Sequence, residues 1–256
     1  MQRYFIEFAY DGTHYHGWAR QPQSNSVQEE LEHALRLLLR REILVTGAGR
    51  TDAGVHARQM YCHFDWKDNT LDELQLAYRL NRILPRDISV RRVVAVDDSL
   101  HARFSAIKRE YRYYLHQQKA PFLRHYSWEV HYPLDFALMN KGAALLIGKK
   151  DFACFCKAGA DSKTTICDLT EAHWDRRLVD GGDEQWVFTI AANRFLRNMV
   201  RAVVGTLVDL GRHRISLEDF RRILAGGTRS DAGESVPGYA LFLERVIYPE
   251  GALPME

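Results

Sequence analysis

Residues 47–57, GAGRTDAGVHA, decide how the rest of the chain is read. ILVTGAG at 43–49 has the character of a short strand running into this stretch, and RQMYCHFDW at 58–66 alternates like a second strand leaving it. The glycine-rich segment is therefore a tip between two strands. Glycines this dense first suggest a phosphate loop. The Walker pattern, however, needs Lys and then Ser or Thr after its last glycine, whereas Gly54 is followed by Val55 and His56, and the spacing does not give G-x-G-x-x-G. What remains is a carboxylate, Asp52, two residues from Arg50, with His56 nearby. The plain alternative is an Asx-type turn in which Asp52 bonds its own backbone and Arg50 is solvated. A charge pair alone does not decide between them.

Working outward, residues 3–10 (RYFIEFAY) alternate as a strand that turns at Asp11-Gly12 into a polar loop reaching Asn25. Ser26 with Glu29 three residues on marks a helix start, and Val27, Leu31, Ala34, Leu35 and Leu38 follow at helical spacing to about Arg41. Downstream, a helix from about Leu71 to Leu84 is stopped by Pro85, and 88–96 and 107–115 have strand character. Beyond these the sequence predicts a helix near 134–147 ended by Gly148, and strands near 164–174 and 185–192 around Asp180-Gly181-Gly182-Asp183. A long helix over Phe195–Leu210, a short one over Leu217–Leu224 and a final strand at 239–248 complete the chain. Strands joined by tight turns pair antiparallel, so the expected class is α+β, a mixed, largely antiparallel sheet with helices packed on it. The expected division falls near QQKAP at 117–121, with 1–116 carrying the Asp52 loop and 117–256 completing the cleft and carrying a basic helix.

Composition narrows the partners. With 256 residues and 46% hydrophobic content the chain buries a sizeable core. The formal net charge is only +2, so a nucleic-acid site has to come from clustered Arg and Lys. Such a cluster is expected on the helix after Asn193, where Arg194, Arg197 and Arg201 at i, i+3 and i+7 form one stripe suited to RNA phosphates, opposite buried Phe195, Met199, Val203 and Leu210. No segment approaches the roughly 20 apolar residues that a membrane helix needs, so a cytoplasmic protein is expected. Cys62, Cys154, Cys156 and Cys167 read as reduced thiols. Their spacing lacks a fourth metal ligand, and His14, His16, His56, His63 and His101 show no i, i+4 pair on a helix, so neither metal nor cofactor is expected.

GRTDAGVHA, LHARFSA at 100–106, EYRYYL at 110–115, NRFLRNMVRAVVGTL at 193–207 and ALFLERVIYP at 240–249 together resemble the TruA family of tRNA pseudouridine synthases, in the family's order and over nearly the whole chain. The resemblance implies a pseudouridine synthase fold in two similar halves, a homodimer, and isomerisation of uridine at positions 38, 39 and 40 of the tRNA anticodon stem-loop. It places the catalytic aspartate at Asp52, the loop arginine at Arg50, the uracil-stacking tyrosine at Tyr111 and an apolar wall of the uracil pocket at Leu241. Arg201 joins Arg50 in keeping Asp52 ionised or engaging a neighbouring phosphate. Two positions depart from the family pattern: Ala19 stands where Gln is usual, and Ala240 where Gly is common before Leu241. CFCKAGADSKTTICDL at 154–169 resembles the family only loosely and supplies no site residue. Two other classes compete, a noncatalytic RNA-binding protein on the same fold and a metal-dependent hydrolase built on Asp52, His56 and the other histidines.

Overall fold

The computed structural model describes residues 1–157, 159, 163–179 and 181–254. Asp180 of the expected turn and part of the 154–169 segment lie outside the described residues. In chain order the strands are β1 (Gln2–Tyr10), β2 (Thr46–Gly47), β3 (His56–Trp66), β4 (Ile88–Val96), β5 (Lys108–His116), β6 (Trp128–Glu129), β7 (Gly148–Asp151), β8 (Ile166–Leu178), β9 (Glu184–Ala192) and β10 (Leu241–Ile247). The helices are α1 (Val27–Leu39), α2 (Glu73–Ile83), α3 (Phe136–Ala144), α4 (Met199–Gly211) and α5 (Leu217–Gly226). By packing the chain divides into two units, Met1–Lys108 with Leu243–Glu256, and Arg109–Phe242.

In the first unit β4, β1, β3 and β10 lie side by side in that order, and β2 pairs antiparallel with β3. β1 is antiparallel to both β3 and β4. Its Tyr4, Phe5, Ile6 and Phe8 are wholly buried, so both faces of this strand are covered. Ser26 caps α1 by accepting from the Glu29 N–H, and the helix buries Val27, Leu31, Ala34 and Leu35 as one stripe. α2 starts on an Asp72 cap and stops where Leu84, the residue before Pro85, turns extended.

The second unit orders β5, β9, β8 and β7 antiparallel, with the two-residue β6 parallel to β5. The architecture is thus α+β with a mixed, mostly antiparallel sheet. α4 is its central helix: every residue except Arg201 and Asp209 is buried. A helix apolar on nearly all sides is a core helix, and a single arginine within it stands out.

The structure corrects the start of this helix. The sequence predicts it from Phe195, but Asn198 adopts a left-handed conformation (φ 65°) and α4 begins at Met199. Arg194 and Arg197 therefore lie in the preceding loop, and the expected stripe of Arg194, Arg197 and Arg201 on one helix face does not form. β6 and β7 go unforeseen as well. β6 is two residues long, and β7 (GKKD) has no apolar alternation, so its main-chain pairing with β8 leaves no trace in residue type.

Candidate active site

The Asp52 loop hangs between β2 and β3 in the first unit and is fixed chiefly through its backbone. At its entry the Ala48 N–H donates to the Tyr61 carbonyl (2.8 Å). At its exit the Val55 N–H donates to the Asp52 carbonyl (3.2 Å) and the Gly54 N–H to the Tyr15 carbonyl (3.2 Å). Gly54 sits at φ 73°, a conformation that favours glycine, which allows the chain to reverse directly after Asp52. Between these ends Thr51 is the anchor. Its hydroxyl lies 2.8 Å from the Tyr10 hydroxyl, and both its Oγ1 (3.1 Å) and its carbonyl (3.4 Å) accept from the Trp18 N–H. Asp52 is left half-buried and Arg50 exposed on either side of a pinned residue.

The partners of this loop come from residues 10–18, which the sequence presents only as a polar connection. Gly17 (φ 100°) passes so close that a Cβ there would lie 2.3 Å from the Thr51 carbonyl oxygen, and a Cβ on Gly12 would lie 2.1 Å from that of Val55. The Gly12 N–H donates to His56 Nδ1 (3.0 Å). The same nitrogen lies 3.0 Å from an Asp11 carboxylate oxygen, a contact that would be an ion pair only with a proton on Nδ1. The well-directed amide donor favours an unprotonated Nδ1, so the buried His56 ties the end of β1 to the loop exit. The signal available in advance was two glycines and a tryptophan within DGTHYHGW, too rich a set for a plain solvent loop. Gly47 is also a close approach, a Cβ falling 2.3 Å from Trp18 Nε1, whereas Gly49 has open space around it and nothing in the structure requires glycine there.

The other expected site residues belong to the second unit. Tyr111 is half-buried on β5 opposite Ile190, with its ring edge-on to Phe195 (5.1 Å between centroids, 88°). Two residues along the same strand face, Tyr113 is fully buried, its hydroxyl has no hydrogen-bond partner among the described residues, and burial pushes that phenol well above its ordinary range. Arg201 donates through Nε–H to the Val236 carbonyl (2.7 Å). Leu241 is buried at the start of β10. Arg197 is exposed, with its carbonyl accepting from the Lys157 N–H (3.1 Å), and Arg194 is half-buried. Arg194 influences the Cys156 and Cys167 thiols, both of which burial pushes up. Arg194 and Arg197 thus precede α4, and Arg201 lies on it. Among the described residues no three His, Cys, Asp or Glu side chains gather as metal ligands would, and no helix is long and apolar enough to cross a membrane.

A model of the tRNA pseudouridine synthase family matches residues 7–105 and again 143–249, one stretch in each half of the chain. Relatives similar over full length include proteins named tRNA pseudouridine synthase A from Bacteroides fragilis (51% identical, covering 98% of either chain) and Bacteroides thetaiotaomicron (52%, covering 98% of this chain and 92% of that one). A third, of the same name, from Parabacteroides distasonis is 46% identical over the whole of both chains. With a match that spans most of its length and relatives this close, the chain belongs to the tRNA pseudouridine synthase family.

Proposed function

We propose that the chain isomerises uridine to pseudouridine at positions 38, 39 and 40 of the tRNA anticodon stem-loop, with Asp52 as the catalytic group. The observation that supports this most directly is the placement of Asp52, half-buried on a turn whose main chain is anchored at Thr51 and Gly54. The reaction breaks the N1–C1′ bond, turns the freed uracil and joins its C5 to C1′. One proton leaves C5 and one is gained at N1, so no electron or group is exchanged with a cofactor. A single oriented carboxylate suffices, acting at C1′ as nucleophile or assisting elimination.

The remaining residues fit supporting parts. Exposed Arg50, on the same loop, meets the phosphate beside the target nucleotide, and Arg201 supplies a second cation to the site. Tyr111 stacks on the uracil, since an edge-on neighbour such as Phe195 holds its ring in one plane, and Leu241 forms an apolar wall. Extruding a base from the stack costs a few kcal/mol, which a stacking face and an apolar wall offset. Arg194 and Arg197 contact backbone phosphates as individual residues. The active form is a cytoplasmic homodimer.

Unmodified tRNA incubated with the protein, then mapped by pseudouridine-selective chemical modification and primer extension, should show new stops at 38, 39 and 40, unaffected by chelator. Tight binding without any stop would favour a noncatalytic RNA-binding protein, and loss of activity with chelator a metal-dependent enzyme. Light scattering of the active protein at micromolar concentration should give the mass of a dimer. A fully active monomer would remove that part of the proposal.

A further inference from the structure

The connection from α5 to β10 is bound to α4 more closely than a surface loop requires. At Gly205, in the middle of α4, a Cβ would lie 1.8 Å from the Glu234 carbonyl oxygen, so main chain runs against main chain. Thr206, fully buried one residue on, accepts from the Gly233 N–H (2.8 Å) while its hydroxyl donates to the Ala202 carbonyl (2.8 Å). One turn earlier Arg201 is held twice by one residue. Its Nε–H donates to the Val236 carbonyl (2.7 Å), and the Val236 N–H donates to the Arg201 carbonyl (3.3 Å). Asn198, the left-handed residue that opens α4, donates to the Ser235 hydroxyl.

The strap itself is organised by a second arginine. Arg229 is half-buried, and its guanidinium donates to the carbonyls of Ala232 (3.3 Å) and Gly233 (3.0 Å) and to the Ser235 hydroxyl (2.9 Å). Three bonds from one planar group fix residues 232–235, the segment that ends on Val236. A lysine, with one point charge, does not reproduce that fork. Beyond Val236 the chain runs through Pro237 and a short 3₁₀ turn, Gly238–Ala240, directly into Leu241.

We propose that residues 228–237 are the positioning device of Arg201, with Arg229 as its pin. The inference rests on the reading of Arg201 as a site residue. A free arginine side chain samples many rotamers, and a terminal fork aimed at a carboxylate or phosphate works only when the stem is held. The bond to Val236 uses Nε–H, so the stem is held close to its terminal fork. Arg229 touches no reacting atom and acts on the reaction through Arg201 alone.

A double-mutant cycle tests this. The variants Arg229→Ala, Arg201→Ala and their combination are compared by single-turnover tritium release from tRNA labelled at uracil C5, by tRNA binding and by thermal melting. Arg229→Ala should slow release at least tenfold with binding changed less than twofold. In the Arg201→Ala background the same substitution should cost less than a further twofold. Arg229→Lys should fall between Arg229→Ala and the parent. Equal losses in both backgrounds would overturn the proposal and leave Arg229 a stabilising residue only. Should Arg229→Ala fail to fold, Ser235→Ala, which removes one acceptor of the pin, is carried through the same cycle. Hydrogen exchange of the Arg201 Nε–H, followed by NMR and assigned by its loss in Arg201→Lys, provides a readout independent of turnover. It should speed up at least tenfold in Arg229→Ala or Ser235→Ala, and unchanged exchange would refute the strap even if the protein converted no uridine. A parent protein that protects this proton but never releases tritium would refute the proposed function and leave the strap standing.

Discussion

At Asp52 an amide substitution separates chemistry from folding. The turn that carries it is closed by the Asp52 carbonyl and the Gly54 N–H, groups that asparagine leaves in place. Asp52→Asn should therefore abolish tritium release while the protein still folds cooperatively, the main-chain anchors being intact. Substantial release by the folded variant would end Asp52's claim to the chemistry. The neighbouring glycines should behave in the opposite way. Gly17→Ala puts a methyl group 2.3 Å from the Thr51 carbonyl oxygen at φ 100°. It should destabilise the protein by about 2 kcal/mol or more, the range for backbone strain joined to a steric clash, and lower turnover by displacing the loop. An unchanged melt for Gly17→Ala would contradict the close approach. The glycine-rich loop that carries Asp52 was legible in advance because its motif is contiguous. Gly12, Gly17 and Trp18 were not, because what makes them part of the site is contact with residues 47 to 55, and no local periodicity encodes contact across that distance in the chain.

Among the elements, those with a cap and a buried stripe were readable and those defined by pairing or backbone conformation were not. α1 shows the first kind, with Ser26, Glu29 and the stripe from Val27 to Leu35 sitting where the spacing placed them. The start of α4 shows the second, since the helix reads as beginning at Phe195, yet Asn198 takes a left-handed conformation, which asparagine tolerates, and its side chain bonds Ser235 of the strap. This has a functional consequence. If Arg194, Arg197 and Arg201 shared a helix face, each would add one equivalent phosphate contact. With Arg194 and Arg197 in the loop and Arg201 on α4, they should differ. Arg197→Ala, exposed and off the helix, should reduce the log–log salt slope of tRNA binding by roughly 0.7–0.9, the effect of losing one phosphate contact, with little change in single-turnover rate. Arg201→Ala, on a helix otherwise buried except at Asp209, should do the reverse. Fluorescence titrations across a salt series would show it, and an unchanged slope for Arg197→Ala would return that residue to the solvated surface.

For the molecule as a whole, the buried titratable groups of the first unit set how its stability responds to acid. His63 lies in β3 with its ring stacked on Phe5, and its Nδ1 accepts from the Ala102 N–H (3.2 Å), an arrangement that requires that nitrogen to be unprotonated. Burial, helped by the nearby Arg3 and His101, lowers its pKa from 6.5 to about 4. Glu7 lies on the same sheet. Burial pushes its carboxyl up, but bonds from Gln59, Tyr61 and Arg92 together outweigh that and hold it below the usual range. Both folded-state values are depressed, so both groups contribute stability that is present at neutral pH and lost on acidification. The histidine acts first. Between pH 6.5 and about 4 the unfolded chain binds a proton at His63 that the folded chain refuses, so stability should fall by up to about 3 kcal/mol over that window. The Glu7 contribution is lost further down, as the pH passes from the ordinary carboxylate range through its depressed folded value. His63→Gln separates the two, because the amide oxygen still accepts from the Ala102 N–H but does not titrate. Urea unfolding of the parent between pH 7 and pH 5 should show a clear decline that is shallower in His63→Gln, where His101 and His116, both also lowered by burial, still contribute, even if the variant is somewhat less stable at pH 7. A parent whose stability is flat over that range, or a variant that declines as steeply, would mean that His63 accepts its proton in the folded state and that the Ala102 contact does not hold the ring neutral.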